Sequence, residues 1–109
     1  MDSTDTILEK IIRHSKSIIE DKKALNRRLA ILEEIKISSE NLIEISEAVG
    51  DNPEANRLLE KGIRSIKRYI EEKNKIENQL LILNQAEELN KTSINLLAKL
   101  QRLDECSSH

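Results

Sequence analysis

The stretch AVGDNPEANRLLEK, residues 48–61, decides the fold, because it carries the only proline of the chain and one of its two glycines. Gly50 sits where the end of a helix favours a left-handed residue. Asp51 or Asn52 is suited to capping a following helix, Pro53 to its first turn, and Glu54 to its positive N-terminal dipole. An anion or metal loop would need more glycine or more oxygen ligands than these two side chains supply. Gly50, Asp51, Asn52 and Pro53 therefore read as the corner of a hairpin.

Before the corner, LEKIIRHSKSIIEDKKALNRRLAIL (8–32) spaces Leu8, Ile11, Ser15, Ile18, Lys22, Leu25, Leu29 and Leu32 alternately by three and four. That is the stripe of a coiled-coil helix. Ile12 and Ile19 widen it on one flank, Ile7 and Ile31 on the other. Beyond Leu32 the apolar stripe moves by about one position, to Ile35, Ser38, Leu42, Ile45 and Val49. With no Gly or Pro inside, the run predicts one helix over about 3–49, started by a Thr6–Glu9 capping box or by Ser3 or Thr4. The pair Ser38–Ser39 lowers helix propensity, and a break there is the alternative.

After the corner, Leu59, Ile63, Ile66, Ile70, Ile76, Leu80 and Leu83, then Ala86, Leu89, Ser93, Leu96, Leu100 and Leu103, predict a second helix over about 53–105. Gly62 reads as a tolerated interior glycine, and 106–109 as a frayed tail. The two halves echo each other at an offset of 51: LEKIIRHSKSIIEDKKALNRRLAIL (8–32) overlies LEKGIRSIKRYIEEKNKIENQLLIL (59–83). Two helices solving one packing problem, or a duplication, account for this. The expected fold is all-α: residues 1–109 form a single domain, a long antiparallel coiled-coil hairpin.

Two such helices, roughly 70 and 80 Å long, leave most of their circumference bare. Yet LAIL (29–32) and LLIL (80–83) put apolar residues on successive positions about 100° apart. Soluble monomers rarely expose such patches. Leu29, Leu32, Leu80 and Leu83 are therefore expected in the core of a multi-helix bundle. The simplest is a homodimer of hairpins, with a homotrimer next.

Composition narrows the function. Charged residues make up 35% and aromatics 1%, with one Tyr and no Phe or Trp, so the apolar content is almost wholly Ile and Leu, as in long helices. A net charge of −2 argues against a nucleic-acid footprint and against a basic membrane-surface helix. No apolar run approaches a transmembrane length. The acidic start MDSTDTILEK lacks a signal-peptide layout, which for a natural chain points to the cytoplasm. The lone Cys106 has no partner for an internal disulfide and reads as a free thiol on the tail.

Enzyme chemistry finds no ligand set. His14 has Ile11, not a carboxylate, three residues before it, so the Glu-x-x-His pair of di-iron bundles is absent. Glu33–Glu34, Glu71–Glu72 and Glu87–Glu88 are neighbours in sequence but point about 100° apart. Asn90-Lys91-Thr92 matches a glycosylation acceptor, but inside a predicted helix. No cofactor, metal or substrate is expected.

Asn recurs inside the predicted helices at 26, 41, 74, 78, 84, 90 and 95, although it is a poor helix former. By phase, Ser15, Ser38, Asn90 and Ser93 fall on the stripes and are candidates for a polar core, where buried amides fix register and oligomer number at a cost in stability. For a corner near 51, facing residue numbers add to about 102, which puts Asn90 opposite Ile12 and within one turn of Ser15.

With its long helix, GDNPE connection, second long helix, scarce aromatics and Asn/Ser set in Ile/Leu stripes, the chain resembles de novo designed helical hairpins that assemble through buried hydrogen-bond networks. The resemblance spans the whole chain but is one of style. The tail ECSSH, Gly62, and the lysines at stripe positions 22 and 73 depart from it. It implies that assembly is itself the function. The alternative from a different class is a natural coiled-coil adaptor or subunit whose stripes bind a different helical partner.

Overall fold

The computed structural model describes residues 3–107, except the side chains of 106 and 107. These residues form two helices, α1 (Thr4–Val49, 46 residues) and α2 (Pro53–Ser107, 55 residues), with no strand among them. The helix thus continues into residues 106 and 107, expected as part of a frayed tail. Residues 108 and 109 lie outside the described residues, as does the side chain of Cys106.

The corner is built as its residues dictate. Gly50 has φ +94°, a conformation in which a Cβ would be strained, and its N–H donates to the Ser46 carbonyl at 3.3 Å. Of the two possible caps, Asn52 serves: its Oδ1 accepts the Ala55 N–H at 2.9 Å, and its carbonyl accepts the Asn56 N–H at 3.0 Å. Ser3 caps α1 in the same manner, its Oγ accepting the Thr6 N–H at 3.3 Å and its carbonyl the Ile7 N–H at 3.2 Å.

The chain divides into two compact units. One is Ala24–Gln79, the half with the corner; the other joins the start of α1, up to Lys23, to α2 from Leu80 onward. In each the helices run antiparallel, as ladders of contacts show. In the corner unit Arg28 meets Glu72, and Glu33 meets both Tyr69 and Lys73. In the other, Asp5 meets Gln101, Ser15 meets Asn90 and Lys22 meets Glu87.

The residues turned inward keep an unbroken spacing of three and four along each helix. On α1 they run Leu8, Ile11, Ser15, Ile18, Lys22, Leu25, Leu29, Leu32, Lys36, Ser39, Ile43 and Ser46. On α2 they run Ala55, Leu59, Gly62, Ile66, Tyr69, Lys73, Ile76, Leu80, Leu83, Glu87, Asn90, Ile94, Leu97 and Gln101. This differs from the sequence reading in two places. The stripe at Ile35, Ser38, Ile45 and Val49 is exposed, and the inward positions are Lys36, Ser39, Ile43 and Ser46. On α2, Ile63 and Ile70 are likewise exposed, and beyond Leu83 the stripe expected at Ala86, Leu89, Ser93, Leu96, Leu100 and Leu103 gives way to inward positions at Glu87, Asn90, Ile94, Leu97 and Gln101, with Leu89, Leu96, Leu100 and Leu103 exposed.

Close backbone approach explains the choice in the corner unit. Ser39, Ser46 and Ala55 are almost wholly buried, and a Cβ placed on Gly62 would lie 2.8 Å from Ile43 Cγ1 and 3.0 Å from the Ser39 carbonyl oxygen. Small side chains let the helices approach here. Gly62 is therefore a contact position and not merely a tolerated glycine. The Ser39 hydroxyl donates to the Ile35 carbonyl at 2.7 Å and the Ser46 hydroxyl to the Ile43 carbonyl at 2.7 Å. Both buried hydroxyls are thus satisfied, and α1 passes through Ser38–Ser39 without the alternative break.

Candidate assembly surface

Charged residues on the inward stripes find partners within their units. Lys22 Nζ lies 3.0 Å from Glu87 Oε2, and the ammonium group holds the Glu87 carboxyl below its ordinary pKa. In the corner unit the one aromatic ring, Tyr69, is almost wholly buried. Its hydroxyl donates to Glu33 Oε1, while the Lys36 and Lys73 ammonium groups lie 5.8 and 5.6 Å from the ring centroid. The Tyr69 hydrogen bond, aided by Lys73 and Lys36, lowers the Glu33 pKa. Glu33 is exposed and the Lys22–Glu87 pair only half-buried, so these pairs fix register more than they add stability.

Two of the four candidate polar residues are brought together and the other two are not. Asn90 Nδ2 donates to Ser15 Oγ at 3.2 Å and lies 3.2 Å from Nδ1 of the exposed His14. The Ser93 hydroxyl donates within its own helix to the Leu89 carbonyl at 3.0 Å. Ser38 is exposed in the other unit. Leu29, Leu32, Leu80 and Leu83 are half-buried on the inward stripes, whereas their neighbours Ile31, Leu81 and Ile82 face outward. The four-residue apolar runs thus divide, with their first and last residues turned in and the middle ones out.

Those outward residues, with the half-buried Leu42, Ala86 and Ser93 spaced among them, belong to a second pattern. On α1, Ile31, Ile35, Ser38, Leu42, Ile45 and Val49 alternate by four and three, each one residue before an inward position or its continuation. On α2, Ile82, Ala86, Leu89, Ser93, Leu96, Leu100 and Leu103 repeat the same spacing. One residue is about 100° of helix rotation, so the later part of each helix carries two coiled-coil stripes, only one of which meets its own chain. The earlier part of each helix instead exposes isoleucines one residue after an inward position: Ile12 and Ile19 on α1, Ile63 and Ile70 on α2.

The offset of 51 maps this pattern onto itself. Ile12 and Ile63 are 41% and 42% exposed, and Val49 and Leu100 are 53% and 52% exposed, so the echo lies in surroundings as well as letters. No family model matches this chain, and no curated protein or solved structure does. Its surface is therefore read from its own chemistry. Among the described residues no group of three or more His, Cys, Asp or Glu is placed to hold a metal ion, and no helix is long and apolar enough to cross a membrane. The depression beside Leu89 is lined by Asn84, Gln85, Glu88, Leu89 and Thr92, all from one helix, and is a furrow of the outward stripe.

Proposed function

We propose that this chain is a non-enzymatic self-assembling hairpin, and that its function is association with a second copy to complete a four-helix bundle. One observation carries the reading. Among the described residues sixteen large hydrophobic side chains are exposed and only four hydrophobic residues are buried. A compact monomer of 12.5 kDa exposes about 6,200 Å². This chain exposes 8555 Å², a surplus of about 2,400 Å². Obligate homodimers bury on the order of 1,000–2,500 Å² per partner, so a second hairpin is enough to cover the surplus. The outward stripes at coiled-coil spacing supply the packing mode, as in the designed hairpin assemblies that the chain resembles.

Sedimentation velocity on the purified protein tests this. A single species of twice the 12.5 kDa chain mass is expected. Three times that mass would keep self-assembly but exchange the four-helix bundle for a six-helix one. A monomer at tens of micromolar would contradict self-assembly and turn attention to the second reading, a different helical partner for the same stripes.

A further inference from the structure

We infer that the outer face of α2 in the corner unit is a docking surface for an acidic helix of another protein, which lays a row of carboxylates along Arg57, Lys61, Arg64 and Arg68. The inference goes beyond self-assembly and concerns a surface that the outward stripes leave free.

Placement is the first support. Each of the four cations follows an inward position of α2 by two residues, namely Ala55, Leu59, Gly62 and Ile66. Two residues are about 200° of helix rotation, so the cations form one ridge on the side turned away from α1. All four are exposed. Their steps of four, three and four make a row about 16 Å long. Lys67 stands beside it, and with Lys61, Arg64, Ser65, Arg68 and Glu71 lines a surface depression. The outward apolar stripe of α2 begins only at Ile82, so assembly through the stripes does not call on the ridge.

Charge is the second support. Residues 57–68 hold five basic side chains and one acidic, Glu60, in a chain of net charge −2. Elsewhere on the helices cations pair with carboxylates three or four residues away, as in Glu20–Lys23, Lys36–Glu40, Glu72–Lys75 and Glu87–Lys91. No ion pair found among the described residues involves any of 57–68, although Glu60 is three residues from Arg57 and four from Arg64. Like charges at these spacings, as in Arg57–Lys61, Lys61–Arg64 and Arg64–Arg68, weaken a helix. A row of carboxylates turns that repulsion into attraction, and a guanidinium group can take a carboxylate through two hydrogen bonds.

Among anions, a helix fits best. Carboxylates on one helix face repeat at the same steps of three and four. The same outer row ends the cation run with Glu54 on one side and Glu71 on the other, which sets the length of contact at about three turns. A phosphate backbone running past either end would meet these carboxylates. A membrane surface would need large apolar side chains beside the cations, and the row from Glu54 to Glu71 is charged throughout.

Fluorescence anisotropy on the full chain tests this with a labelled helical peptide that carries glutamates at steps of four, three and four on one face. The control peptide has the same composition with its glutamates spread around the helix. At low salt the first peptide is expected to bind at least about tenfold more tightly than the second. Arg57→Gln, Lys61→Gln, Arg64→Gln and Arg68→Gln together are expected to abolish that preference while circular dichroism shows helicity kept. As many neutralisations elsewhere, Lys10→Gln, Arg13→Gln, Lys16→Gln and Lys99→Gln, are expected to leave it intact. Equal binding of the two peptides, or an unchanged preference in the ridge variant, overturns the inference. Duplex DNA that binds the parent more tightly than the first peptide, and is lost with the ridge, overturns it in favour of a nucleic acid. A ridge variant that no longer self-associates overturns it in favour of an interface between copies. A monomeric parent that still prefers the first peptide upholds the docking surface and contradicts self-assembly alone.

Discussion

Leu96→Asp is expected to convert the assembled protein to a monomer, weakening association by at least about 100-fold. Leu96 is 56% exposed in the isolated hairpin, so the substitution costs the hairpin little by itself. In an assembly that covers the outward stripe, it removes about 1.5–3 kcal/mol of apolar burial. It also places an unpaired carboxylate against hydrocarbon, an arrangement that costs several kcal/mol unless the group is neutralised. A symmetric dimer bears the substitution twice. Leu80 is a poorer probe, because it is half-buried against its own chain and its loss would weaken hairpin and assembly together. A Leu96→Asp protein with the parent's sedimentation coefficient would show that the outward stripe is not an interface.

Gly62→Ala is expected to lower the stability of the hairpin by about 1–3 kcal/mol, the usual cost of overpacking a tight contact. This runs against helix propensity, which favours alanine over glycine by about 0.8–1.0 kcal/mol. Steric contact should win, because one of the close atoms is a backbone carbonyl oxygen, at 3.0 Å, and the other is Cγ1 of Ile43, at 2.8 Å, near the root of its side chain. Neither can swing aside, so the helices must separate at the buried Ser39. Urea unfolding of parent and variant measures the difference. An unchanged or raised midpoint would mean that the helices do not approach this closely at Gly62.

These two substitutions also mark what was legible in the sequence. The two helices and their junction were, because Gly50, Asn52 and Pro53 each have a narrow range of conformational uses and nothing else interrupts the heptads. Which of the overlapping stripes would face inward was not. Counting apolar residues favours Ile35, Leu42, Ile45 and Val49 over Lys36, Ser39, Ile43 and Ser46 on the same helix. The inward choice follows from close approach of small residues at Ser39 and Gly62, and from Lys36 lying over the Tyr69 ring. Hydrophobicity alone reports neither effect. A signal was nevertheless present: Ser39 faces Gly62 and Ser46 faces Ala55 in the register that the corner sets. The apolar stripes were visible from the start, and the folded hairpin adds that they remain bare.

One hairpin leaves its burial incomplete, and in the proposed assembly a second copy completes it. The most direct measurement is the thermal unfolding midpoint, followed by circular dichroism, over a hundredfold range of protein concentration. Association that stabilises the native state makes the midpoint depend on concentration. The midpoint is expected to rise by several degrees across that range and to level off where assembly is saturated. A midpoint that stays constant, with a monomer mass at both ends of the range, would contradict the claim.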